Sequence, residues 1–217
     1  MNTIAQMRRK INGEIFDYQA LMDALAEYRK PRDRITKLLA SGVIIRIKKG
    51  LYCFGEVFRK QPLSREHMAN LIYGPSYVSL EYALSYHSLI PERVEVVTSV
   101  TTRRSSDFNT PFGTFTYRML KGARYAVGAV LETTGTTPFL VASPEKALVD
   151  MVWSDKRFSG LRMSEYDAYL IDDLRIDPHA LRSLDRIRLQ AIAAAYDSAK
   201  IKNLISYTKR FEVPSHA

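Results

Sequence analysis

Apolar residues recur at three- and four-residue spacing at Ile4, Met7 and Ile11, which predicts a first helix over residues 3–11. Asn12-Gly13 stops it, and Glu14-Ile15-Phe16 reads as a short extended segment. Asp17 has the chemistry of an N-cap for a second helix over 18–26, whose buried stripe is Leu21, Met22 and Leu25. Tyr28-Arg29-Lys30-Pro31 is a turn, and Pro31 suits a first helical turn because its missing N–H costs nothing there. A third helix over 32–41 puts Ile35, Leu38 and Leu39 on its apolar face. Its other face centres on Asp33, Thr36, Lys37 and Ala40, flanked by Arg34 and Ser41, and Gly42 ends it. Residues 43–48 then alternate: Val43, Ile45 and Ile47 point one way, Ile44, Arg46 and Lys48 the other. Lys49-Gly50 turns the chain and 51–54 returns it as a hairpin. Helix, helix, turn, helix and hairpin is the order of a winged helix-turn-helix.

The segment 55–64, with Pro62, reads as a linker, so the expected domains are 1–58 and 62–217. Ser64 caps a helix reaching residue 72, and Gly74-Pro75 turns the chain. Ser79 is the expected cap of a helix lined by Leu80, Ala83, Leu84 and His87. Strands are predicted over 95–101, 112–120, 125–134 and 139–142, punctuated by Gly113 and Gly135. Ser143 caps a further helix with Pro144 at its first position, packed on the sheet through Ala147, Leu148 and Met151. Residues 164–211 read as helical, with breaks at Asp177-Pro178 and near Ser183. The expected fold class is α+β: a winged helix-turn-helix, then a mixed domain with a small sheet and a helical C-terminal part.

Charge changes this picture. Residues 1–60 hold 13 Lys/Arg against six acids, which is most of the chain's net +9. Residues 61–217 hold 19 against 17 and are nearly neutral. Positive charge concentrated on the helix–turn–helix and hairpin points to a polyanion, with DNA first. The candidate contacts are Arg29, Lys30, Arg32, Arg34, Thr36, Lys37, Ser41, Arg46, Lys48 and Lys49. Short polar and cationic side chains on the third helix can enter a major groove, while lysines at the hairpin tip meet phosphates. The same charge could instead be a solvated surface, and a wing can also dock a protein. A second candidate phosphate contact is Arg103-Arg104, set among Thr98, Ser99, Thr101, Thr102, Ser105 and Ser106; a polar loop is the plainer reading.

The stretches IIRIKKGLYCF (44–54), YVSLEYALSYHSLIPE (77–92), VTSVTTRR (97–104), FNTPFGTFTYR (108–118) and SPEKALVDMV (143–152) occur in that order. With them the chain resembles the AbiEi-type antitoxins, the transcriptional regulators of AbiE (type IV) toxin–antitoxin systems. The resemblance implies an N-terminal winged helix that binds inverted repeats near the promoter and represses the operon. It implies a C-terminal region needed for antitoxicity, a nucleotidyltransferase-like toxin as counterpart, and a role in phage defence. Counteraction without a stable complex and direct toxin contact both stay open. No catalytic residue is carried over, and beyond about residue 160 only a generic helical tail is recognised.

Chemistry elsewhere is sparse. His67, His87, His179 and His216 have no nucleophile elbow to serve, and P-loop and G-x-G-x-x-G signatures are absent. Asp172, Asp173 and Asp177 form an acidic cluster that reads as a solvated helix end rather than a metal site. The lone Cys53 excludes an intramolecular disulfide and reads as a small buried hydrophobe. No cofactor and no metal are expected. A hydrophobic content of 46% supplies a core, no apolar run is long enough to span a bilayer, and no secretory signal is seen, so a cytoplasmic protein is expected. The expectation is therefore a non-enzymatic antitoxin and autorepressor. The alternative is a nucleic-acid-directed enzyme that uses the winged helix for targeting, with Asp172 and Asp173 as the residues to test.

Overall fold

The computed structural model describes residues 3–135 and 137–211; His216 lies outside the described residues. The first sixty residues form α1 (Thr3–Lys10), β1 (Ile15–Asp17), α2 (Tyr18–Ala24), α3 (Pro31–Ala40), β2 (Ile44–Lys48) and β3 (Leu51–Phe54). Asp17 caps α2, accepting from the Ala20 N–H at 2.8 Å. Pro31 occupies the first turn of α3, one residue earlier than the pattern predicts. The strands make a three-stranded antiparallel sheet in the order β1-β3-β2. Met7, Leu21, Leu25, Ile35, Leu38, Ile44 and Phe54 close the first hydrophobic cluster against it.

The predicted alternation of β2 needs correction. Val43 and Ile44 both turn to the first cluster, while Ile45 and Ile47 turn to a second. The register against β3 shifts between Arg46 and Lys48, a bulge that re-aims the side chains beyond it. The cause is that β2 and β3 are covered on both faces. Leu51 and Cys53 of the hairpin also belong to the second cluster, so the hairpin is a wall shared by two cores. Cys53 is buried there as expected, and burial pushes its thiol up to about 11.

A 3₁₀ turn (Glu56–Phe58) begins the linker. Arg8 ties it down: its guanidinium lies 3.6 Å over the Phe54 ring, pairs with Glu14 at 2.8 Å and donates to the Phe58 carbonyl. Glu14 in turn accepts from the Lys60 backbone N–H at 3.0 Å.

The rest of the chain is built on a six-stranded mixed sheet. Its elements are α4 (Arg65–Ile72), β4 (Ser76–Val78), α5 (Leu80–Tyr86), β5 (Val97–Thr101), β6 (Ser106–Thr110), β7 (Gly113–Met119), α6 (Ala123–Ala126), β8 (Ala129–Thr134), β9 (Thr137–Ala142) and α7 (Pro144–Ser154). The sheet order is β6-β7-β5-β4-β9-β8. β4 is only three residues long and β6, Ser-Asp-Phe-Asn-Thr, is mostly polar, so neither stands out by alternation. Residues 125–127, predicted as strand, instead lie in and after α6, and the strand starts at Ala129. A π-helix (Asp167–Asp173), α8 (Pro178–Arg182), α9 (Arg186–Ala194) and α10 (Ala199–Thr208) complete the helical part, with the breaks expected at Asp177 and Ser183. Of the acidic cluster, Asp177 caps α8 by accepting from the His179 N–H at 2.8 Å. Among the described residues no helix is long and apolar enough to cross a membrane.

At the centre lies α7, capped by Ser143 and buried on every side from Glu145 to Val152. Lys146 and Asp150, one helical turn apart, pair at 2.9 Å with both side chains wholly covered. Asp150 also accepts from Ser79 at 2.7 Å, from Tyr77 at 3.0 Å and from Tyr196. Lys146 donates to the Arg124 carbonyl at 2.5 Å and to Tyr196. Burial pulls the Lys146 ammonium below its ordinary value, and Asp150 pulls it back up. Glu145 accepts from the N–H of Asp185, the residue that caps α9, at 2.9 Å. The expected capping role of Ser79 is corrected here: α5 follows it, but its hydroxyl donates to the buried Asp150 carboxylate, and the Tyr82 N–H of the first turn is taken by the Thr98 hydroxyl at 3.1 Å instead.

Candidate nucleic-acid interface

The amphipathic pattern of α3 decides which of its side chains face solvent. Ile35 and Leu38 are buried against the first cluster, which leaves Arg32, Asp33, Thr36, Lys37, Ala40 and Ser41 exposed. Arg29 and Lys30, on the turn before it, are exposed as well. Thr36 and Ser41 hold their hydroxyls on the Arg32 and Leu38 carbonyls, at 3.2 and 3.3 Å, so both present a fixed polar surface. A groove of 420 Å³ runs between α3 and the start of α1, with Lys37 and Ser41 on its wall.

Arg34 has another task. Its guanidinium donates to the Thr3 hydroxyl and lies 5.4 Å from the Tyr28 ring centroid, so it fastens α3 to α1 and to the preceding turn. Position on the flank of a helical wheel made Arg34 a candidate contact, but the wheel carries no information about α1.

The hairpin divides its cations in a similar way. Arg46 and Lys49 are exposed. Lys48 is half-buried: it donates to the Ile72 carbonyl at the end of α4 and sits 5.7 Å from the Phe108 ring. Burial first, then the positive field of Arg103, hold its ammonium below the ordinary lysine value. Arg103 lies 5.2 Å over the Tyr73 ring, and Tyr73 and Phe108 pack at 5.3 Å. Two cations more than fifty residues apart in sequence therefore converge on one aromatic pair, and the exposed Arg104 follows directly. Lys48→Ala is expected to lower thermal stability by about 1 kcal/mol, because it frees a carbonyl at the seam between the hairpin and α4. Lys49→Ala should leave the melting curve unchanged. Equal melts for both variants in a circular-dichroism scan would remove this distinction.

Among the described residues no group of His, Cys, Asp and Glu is placed to hold a metal ion. Asp172 and Asp173 are exposed at the end of the π-helix. The buried lattice around Asp150 escapes sequence reasoning, because Tyr77, Ser79, Lys146 and Tyr196 are brought together only by the sheet and α7. The spacing of Lys146 and Asp150, four apart on a helix, is the one signal of it in the sequence. No protein-family model matches the chain, and no curated protein matches it either.

Proposed function

We propose that the chain is a DNA-binding autorepressor and the antitoxin of a toxin–antitoxin pair, with residues 1–58 acting as a winged helix and 62–217 carrying antitoxicity. The observation that carries the DNA half is the exposed face of α3. Arg32, Thr36, Lys37 and Ser41 stand on one polar surface while the other face is buried, and the hairpin adds exposed Arg46 and Lys49. In this reading α3 enters the major groove of an inverted repeat and Lys37 and Thr36 reach base edges. Arg29, Lys30, Arg32, Arg46 and Lys49 contact phosphates, releasing counterions, and Arg103 and Arg104 extend that contact from the second region. Arg34 and Lys48 support the surface from behind. The counterpart is a nucleotidyltransferase-like toxin, a part of the proposal that rests on the family resemblance of the central segments.

The test is titration of operator and random DNA at two salt concentrations. Lys49→Ala should weaken both DNAs alike and reduce the salt slope by about one. Lys37→Ala should cost about 1–3 kcal/mol on the operator and less on random DNA, because a base contact carries discrimination and a phosphate contact does not. If neither variant loses affinity, the α3 assignment is wrong.

A further inference from the structure

A cleft of 530 Å³ opens between the linker, the start of α4 and the turn at Phe112. No residue of α3 lines it, so it lies apart from the surface assigned above to DNA. Three cations meet in it, Arg59, Lys60 and Arg65, against a single acid, Glu56. Arg65 is half neutralised: it donates to the Glu95 carbonyl and pairs with the Glu95 carboxylate at 3.5 Å. Arg59 and Arg65 each keep a covered Nε–H without an acceptor. Those Nε–H groups are out of a ligand's reach, so the cleft's shortage of negative charge rests on its three cations against Glu56. Phe112, with Pro62 and Leu63, supplies an apolar wall.

We propose that this cleft binds a phosphate-bearing small molecule with a planar body, of the mononucleotide class. A guanidinium grips phosphate through a fork of parallel N–H groups, which places the phosphate at Arg59, with Lys60 adding charge from the rim. A planar base then lies against Phe112 and the linker proline. Glu56, unfavourable to a bare anion, suits the hydroxyl and amino donors of a sugar and a base. The volume falls within the range of about 300–1,000 Å³ typical of small-ligand sites and takes one nucleotide rather than a strand.

The test is calorimetric titration of the full chain, without DNA, with adenosine and guanosine 5′-monophosphates, inorganic phosphate and the free nucleosides. One saturable site is expected for a nucleotide, with phosphate and nucleoside each weaker. Arg59→Gln should lower nucleotide affinity about tenfold or more. Phe112→Ala should lower nucleotide affinity and leave phosphate affinity unchanged. Phe112 is only partly buried where it packs against the second cluster and Arg59 lies outside both clusters, and a melting curve for each variant checks its fold. Operator binding by Arg59→Gln should match the parent chain. No saturable binding, equal affinity for phosphate and nucleotide, or unchanged affinity in Arg59→Gln overturns the proposal. Parallel loss of operator and nucleotide binding in that variant overturns it too, by assigning Arg59 to the DNA surface.

Discussion

Asp150→Ala is expected to destabilise the fold by about 3–5 kcal/mol, the cost of leaving a buried charge without its partner. The carboxylate accepts from Lys146, Tyr77, Ser79 and Tyr196, so one substitution strands three buried hydroxyls and leaves Lys146, which keeps the Arg124 carbonyl, without its counter-charge. At roughly 2–4 °C per kcal/mol for a chain of this size, the melting temperature should fall by about 10 °C. A double variant, Lys146→Met with Asp150→Leu, should recover part of the loss, since an apolar pair of similar volume needs no partners.

The pH dependence has a definite sign. In Asp150→Ala the Lys146 amine loses the attraction that opposed its burial, so its folded-state value drops further below the ordinary 10.5. The unfolded chain binds more protons than the folded variant over that window, and because the parent's Lys146 is lowered less, stability relative to the parent rises with pH between the two folded-state values. Denaturant titrations at several pH values should show the deficit shrinking toward alkaline pH. A constant deficit would mean that Lys146 is not stranded by the substitution.

The second large effect concerns the wall between the cores. Ile47→Ala should cost about 2–5 kcal/mol, as other buried isoleucine truncations do. Its location makes the readout informative. Ile47 lies within the first sixty residues but packs in the second cluster. The single tryptophan, Trp153, is on α7, 5.7 Å from the Tyr196 ring and 4.3 Å from the Arg124 guanidinium. Its fluorescence midpoint in urea should therefore move together with the far-ultraviolet signal. An unmoved tryptophan midpoint with early loss of ellipticity would mean that the first sixty residues unfold by themselves. A coincident shift means that the hairpin couples the two cores into one transition.

Local chemistry made much of this fold legible. Asp17, Ser64 and Ser143 cap helices as their residue types predict, because an N-cap needs only a side-chain oxygen and the next turn of backbone. The helix–hairpin order of the first sixty residues was legible for the same reason: strong periodicity bounded by Gly and Pro. What periodicity cannot express is a surface facing two partners. β2 reads as an alternating strand, yet both of its faces are covered and its bulge breaks the alternation. Ser79 reads as a cap, yet a carboxylate seventy-one residues away in sequence takes its hydroxyl. Among the candidate contacts the exposed ones were legible from the helical wheel. Arg34 and Lys48 also fasten the fold, which neither the helical wheel nor the strand alternation could express, because their partners, Thr3 with Tyr28 and Ile72 with Phe108, come from other elements.

The all-round burial of α7 has a consequence for how the chain tolerates substitution. The segment Ser143 to Val152 lines neither the groove beside α3 nor the linker cleft, and its charged residues are held by partners inside the second region: Tyr77, Ser79, Arg124, Asp185 and Tyr196. Surface side chains can therefore change without disturbing this interior, whereas a change in one of its polar groups has to be matched by a change in the others.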